Sequence, residues 1–237
     1  MALKSLLFSF ALLIIMGSTV VRADDVTISA LSATVSASGV NFGGAFTVAT
    51  GGTGVFAPLS GTSGTIKNLA FGSTTPLNQS FLLTSFMTFA GNPSLSLDLT
   101  FIYLGVGGQS QCSAAPAPGQ VCTPAFASLV SAANPGGLSP YTFLNSPGGG
   151  STLSFSVTGN LVNGAVSTPF QGVFSTQFNV PYQTVLSTLN TGAPTSISGN
   201  FTSSAATVPE PTTMLLLGTG LVGIAAKVKR RKKQSRV

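Results

Sequence analysis

Side-chain chemistry needs a group that exchanges a proton, attacks, or holds a metal, and between residues 24 and 208 this sequence has few of them. They are Asp24, Asp25, Asp98, Lys67, the phenols Tyr103, Tyr141 and Tyr182, and the thiols Cys112 and Cys122; the whole chain of 237 residues contains no His. A Ser nucleophile therefore has no imidazole base. A glycosidase-like carboxylate pair would have to join Asp98 to the amino-terminal aspartates, and no Gly-rich phosphate loop with its Lys occurs. A calcium ion could use Asp98 with backbone carbonyls, but on an outward strand position Asp98 reads as solvated. No catalytic residue, metal site or cofactor is assigned, and the domain is expected not to be an enzyme.

The scaffold carrying these residues follows from the hydrophobic pattern. In "SLSLDLTFIYLGV" (94–106), Leu95, Leu97, Leu99 and Phe101 fall on one face and Ser96, Asp98 and Thr100 on the other. "STLSFSVTG" repeats the alternation with Leu153, Phe155 and Val157, and "TSISGNFTS" with Ile197 and Phe201. Further strands are expected over 26–36, 41–49, 64–71, 81–89 and 170–179, separated by Gly, Pro and Asn. This predicts a mainly β domain, an antiparallel β-sandwich or jelly roll. One stretch, "VPYQTVLSTLNTG", instead spaces Tyr182, Val185, Leu186 and Leu189 helically. It predicts one short helix near 181–189, with Pro181 as its first residue and Gly192 just past its end, covering an open end of the sandwich. "GGTG" (51–54) reads as a hairpin turn, and the Pro/Gly-rich segments around 112–122 and 134–150 read as variable surface connections, with inserts or binding loops as the alternatives.

The formal charge of +6 suggests an anionic partner until its location is considered. Between 24 and 208 the acids outnumber Lys67, and the positive excess lies at the two ends. The middle is one domain, 24–207, whose solvent face must be built from Ser, Thr, Asn, Gln and Gly, as in extracellular β proteins. At the amino end, Lys4, the apolar run Leu6–Met16, the breakers Gly17-Ser18 and the Val21-Arg22-Ala23 cleavage pattern predict a secretory signal peptide, 1–23, cut after Ala23. The expected partners are the Sec translocon and signal peptidase. Export makes the even cysteine count meaningful, and Cys112 and Cys122, flanking the turn formers Pro116, Pro118 and Gly119, are expected to form a disulfide.

The carboxyl end reads "VPEPTTMLLLGTGLVGIAAKVKRRKKQSRV". As a helix, 212–226 reaches about 22 Å against a hydrocarbon core of about 30 Å, so a transmembrane helix fits marginally, with Lys stems snorkelling. The basic tail 227–237, dominated by Lys229, Arg230, Arg231, Lys232 and Lys233, sets its topology with the tail in the cytoplasm. It lacks interleaved aromatics, and no nucleic-acid partner is expected. Val208-Pro209-Glu210-Pro211, the run 214–221 and the basic cluster together resemble the PEP-CTERM sorting signal of exopolysaccharide-producing Gram-negative bacteria, also labelled the ice-binding protein C-terminal domain, here over 208–233. The resemblance implies recognition of Pro209, Glu210 and Pro211 by an exosortase, a membrane-embedded transpeptidase-like enzyme. It also implies transient anchoring in the inner membrane and delivery to the cell envelope or extracellular matrix. The body then reads as a surface or matrix component, with exopolysaccharide a candidate partner. The alternative is an extracellular glycan-binding module using Tyr103 or Tyr141 as stacking platforms.

Overall fold

Apolar alternation becomes strand in all eight expected segments of this computed structural model, which describes residues 24–72 and 74–205. The strands are β1 (Asp25–Ser36), β2 (Gly39–Phe42), β3 (Ala45–Val48), β4 (Ser63–Ile66), β5 (Leu69–Ala70), β6 (Leu83–Phe89) and β7 (Asn92–Ile102). After these come β8 (Val121–Cys122), β9 (Thr142–Asn145), β10 (Ser151–Asn163), β11 (Val166–Phe178) and β12 (Thr195–Ala205). The signal peptide 1–23 and the sorting signal 208–233, with its transmembrane segment 212–226 and basic tail, lie outside the described residues. Among the described residues no helix is long and apolar enough to cross a membrane.

Two expected strands are each broken into a pair. The segment 41–49 divides into β2 and β3 at Gly43-Gly44, where Gly44 takes φ +81°. The segment 64–71 divides into β4 and β5 at Lys67-Asn68, and the Asn68 Oδ1 accepts the Phe42 amide at 2.8 Å where the ladder is interrupted. A side chain thus supplies the hydrogen bond that the missing strand pairing leaves open.

The sandwich or jelly-roll expectation is corrected by the strand order. β1, β3, β4, β6, β7, β10, β11 and β12 each pair antiparallel with the next, and β12 returns to pair β1 from Asp25↔Ser204 to Val35↔Thr195. The result is a closed eight-stranded up-and-down barrel. β2 with β5, and β9 with β8, extend it as short flaps at one end. Period-2 alternation determines which face of each strand is buried, but one or two packed sheets and a closed sheet bury that face equally well.

Phenylalanines from around the ring fill the interior. Phe174 lies 4.7 Å from Phe155 in a stacked arrangement, 4.4 Å from Phe201 and 5.4 Å from Phe42. Each buried ring contributes about 1.5–3 kcal/mol. Gly172 makes room for this cluster, since a Cβ there would overlap the Phe201 ring. A cavity of about 10 Å³ beside Leu31, Phe42, Phe155 and Phe174 holds no more than about one water, so this part of the lumen is packed with side chains.

β7 departs from its expected face at one point. Leu95, Leu97 and Leu99 are fully buried, but the ladder with β10 passes from Leu99↔Gly159 to Phe101↔Thr158, leaving Thr100 as the extra residue of a bulge. The phase inverts there, Ile102 takes the inward position, and Phe101 is displaced to the half-exposed outer surface.

The helix α1 (Tyr182–Asn190) buries Tyr182, Val185, Leu186 and Leu189, as its spacing predicts. Pro181 stands just before it in an extended conformation instead of within its first turn.

Candidate functional site

Strand direction gives the barrel two unlike poles. β1 leaves and β12 arrives at one of them, where Asp25 pairs with Ser204. Connections there are the tight turns Ala90-Gly91 and Gly164-Ala165, together with the segment 49–62. At the opposite, distal pole emerge the long excursion 103–141, the segment 71–82, the turn 146–150 and α1. Function on a rigid β scaffold usually resides in such long connections.

The distal excursion is heavily cross-tied. Cys112 and Cys122 form the expected disulfide, with Cα atoms 5.1 Å apart. The loop it closes is held by three amide side chains that the sequence reading did not single out. Asn145, buried at the end of β9, donates from Nδ2 to Gln120 Oε1 (3.3 Å) and Gln183 Oε1 (3.1 Å). Its Oδ1 accepts the Tyr182 amide at 2.9 Å, supplying from β9 the helix cap that Pro181 cannot offer. Gln183 Nε2 in turn donates to Ala114 O and Gln120 Oε1, and the Tyr182 hydroxyl donates to Gln111 O at 2.8 Å. Loop, helix and barrel rim therefore form one connected unit. Nothing in local composition separates Asn145 from the other exposed-looking amides of such loops, which is why it was missed.

The titratable side chains are dispersed, and Lys67, Asp98, Asp24, Tyr141 and Tyr182 are each hydrogen-bonded to backbone. Lys67 Nζ donates to Thr84 O at 2.7 Å, while Asp98 Oδ1 accepts the Ser85 amide at 2.6 Å. These are the two ends of one peptide unit, in the bulge of β6 where Ser85 takes φ +48°. Cation on carbonyl and anion on amide both align with the peptide dipole, so the pair clamps an unfavourable backbone conformation. Asp98, expected to be merely solvated, is half-buried and committed to this clamp.

Asp24 is held through its carboxylate and Asp25 through its backbone, the Asp25 Oδ1 being buried without a hydrogen-bond partner. Asp24 Oδ1 accepts the Val55 amide at 2.9 Å, the Asp25 amide donates to Thr53 Oγ1 at 3.0 Å, and the Thr53 amide donates to Asp25 O at 2.9 Å. The "GGTG" stretch is thus part of a longer loop that docks the start of β1, and its hairpin reading is corrected. Among the described residues no group of three or more His, Cys, Asp or Glu side chains could hold a metal ion.

The tyrosines divide sharply. Tyr141 is fully buried and its hydroxyl donates to Ser36 O and Gly39 O, each at 3.0 Å, joining the start of β9 to the β1–β2 turn. Burial pushes its phenol well above the ordinary value, and desolvation raises that of Tyr182 as well. Tyr141 therefore cannot serve as a stacking platform. Tyr103 is 42 % exposed, with its ring 4.8 Å from Phe101. Leu82, Val106 and Val130 are also exposed in the distal connections. The chemistry offered by this pole is aromatic and apolar contact with neutral hydrogen bonding.

The expected sorting residues Pro209, Glu210, Pro211, Lys229, Arg230, Arg231, Lys232 and Lys233 lie outside the described residues. The family model for the PEP-CTERM protein-sorting motif matches residues 207–231, beginning just after the last residue of β12. No curated protein and no solved structure matches the chain.

Proposed function

We propose that this chain, which carries a PEP-CTERM protein-sorting motif, is an exported, non-catalytic surface or matrix protein whose β-barrel is the cargo of that signal. The observation carrying this reading is the motif match at 207–231, following directly on the barrel's closing strand. On this reading the Sec translocon and signal peptidase handle 1–23, and an exosortase recognises Pro209-Glu210-Pro211. The basic cluster keeps the tail end cytoplasmic while the chain is held in the inner membrane. Two prolines suit the recognition step because proline fixes φ and lacks an amide donor, which disfavours sheet and helix. The structural commitments of Lys67, Asp98, Asp24 and Tyr141 support a non-catalytic role. Mass spectrometry of the extracellular and envelope fractions tests the sorting, with a carboxyl terminus near Pro209–Pro211 expected; a secreted peptide ending at Val237 would refute it.

A second reading, glycan binding, is favoured by one observation, the exposed Tyr103 ring beside Phe101 on the outer surface near the distal loops. A polysaccharide pull-down with the mature protein is expected to be saturable and lost in Tyr103→Ala. Binding unchanged by that substitution would remove Tyr103 from the reading.

A further inference from the structure

We propose that the barrel is already closed when its tail is cut, and that it is held with the Asp25–Ser204 pole toward the membrane and the disulfide-loop pole away from it. This rests on the sorting reading, and four features of the barrel lead to it. First, β1 begins and β12 ends at the same pole, side by side, with Asp25 opposite Ser204. Both segments expected to be processed therefore leave the barrel from neighbouring strands. Second, β12 is paired on both edges, by β1 and by β11 as far as Phe170↔Ala205. Peeling it away would break two ladders and expose Phe201, which is fully buried against Phe174.

Third, the matched motif starts at residue 207, beyond the pairing described for β12, so on the sorting reading the signal can be read with that pairing intact. A chain spans at most about 3.5 Å per residue, so the stretch from Ala205 to Pro209 can place the cut no more than about 14 Å from the end of β12. Fourth, the pole that must come this near is low. Its hairpins turn at Ala90-Gly91 and Gly164-Ala165, and the 49–62 segment is folded back on Asp24 and Asp25. The bulky excursion 103–141 projects from the opposite end. The partner that this face fits is thus a membrane surface bearing the processing enzyme.

The test staples the closing strand in the full chain in its exporting cell. Thr27 and Thr202 are exposed partners across β1 and β12. Directly opposed Cβ atoms in such a pair are about 4.5–5.5 Å apart, near disulfide geometry. In Thr27→Cys/Thr202→Cys, a crosslinked chain is expected to lose its tail as fast as the unstapled one. A crosslinked chain that keeps its tail, and is processed once reductant opens the staple, overturns the proposal. In the membrane-held chain, an impermeant maleimide is expected to label Val106→Cys but not Ala165→Cys. Equal labelling of the two, each folded by protease resistance, overturns the orientation. If the unsubstituted chain itself keeps its tail, the sorting reading fails instead.

Discussion

Replacing Tyr141 by Phe removes one oxygen from the interior and leaves the packing nearly unchanged, which makes it a clean probe of the distal pole. The hydroxyl donates to Ser36 O and Gly39 O, and Gly39 O also accepts from Ser36 Oγ at 3.2 Å, so one carbonyl loses more than the other. A buried acceptor left without its donor costs about 1–3 kcal/mol. We expect Tyr141→Phe to lose about 2 kcal/mol, or roughly 4–8 °C in Tm for a domain of this size. Urea unfolding of the purified mature protein measures it. The same residue sets an alkaline limit. Its folded phenol is raised above the ordinary 10.0, so the stability it contributes is complete below pH 10 and lost as pH rises beyond it. Above that pH, the Tyr141 phenol lowers the unfolding free energy by about 1.4 kcal/mol per pH unit. Tyr141→Phe should be less stable at neutral pH and flatter above pH 10, and Tyr182, raised by desolvation in the same direction, adds to the slope in parent and variant alike. A variant within about 0.5 kcal/mol of the parent, with an unchanged alkaline slope, would refute the assignment of this hydroxyl.

Asp98→Ala should cost about 1.5–3 kcal/mol by freeing the Ser85 amide, whereas Lys67→Met, at an exposed position, should cost only a few tenths; double-mutant urea denaturation compares them. Gly172→Ala forces a Cβ into the Phe201 ring and should destabilise by about 1–3 kcal/mol, read by calorimetry. Cys112→Ser/Cys122→Ser should lose about 3 kcal/mol by loop-closure arithmetic, and the oxidised parent should show no free thiol.

The parts legible in the sequence were those with local causes. Alternation located the eight barrel strands, helical spacing located α1, and the turn-rich interval between two cysteines in an exported chain pointed to the disulfide. Closure was not legible, because β1 and β12 meet through pairing that no local pattern encodes. Phe101 was misplaced because a single extra residue at Thr100 inverts every position after it, and Thr in a strand looks the same whether bulged or paired. The roles of Lys67 and Asp98 were hidden for a related reason. They meet through the backbone of a third strand, at a peptide that neither of them adjoins in sequence. β9 escaped notice because its four residues sit in a Pro- and Gly-rich stretch, and Asn145 is defined by what gathers around it.

The meander closes by joining its first strand to its last, and this constrains how the chain can fold as it is exported. Strands β3 to β11 can each pair with one neighbour soon after emerging, because at least one partner of each is close in sequence, although the second edge of β7 waits for β10. The free edge of β1 must wait until almost the entire domain has been delivered. Contacts of such large sequence separation form late and slowly, since chain entropy is lost before they are gained. During that interval β1 is an open edge able to pair with another chain. Crowding of nascent molecules at the export site is therefore the period of greatest risk for this protein, and the arrival of β12 ends it.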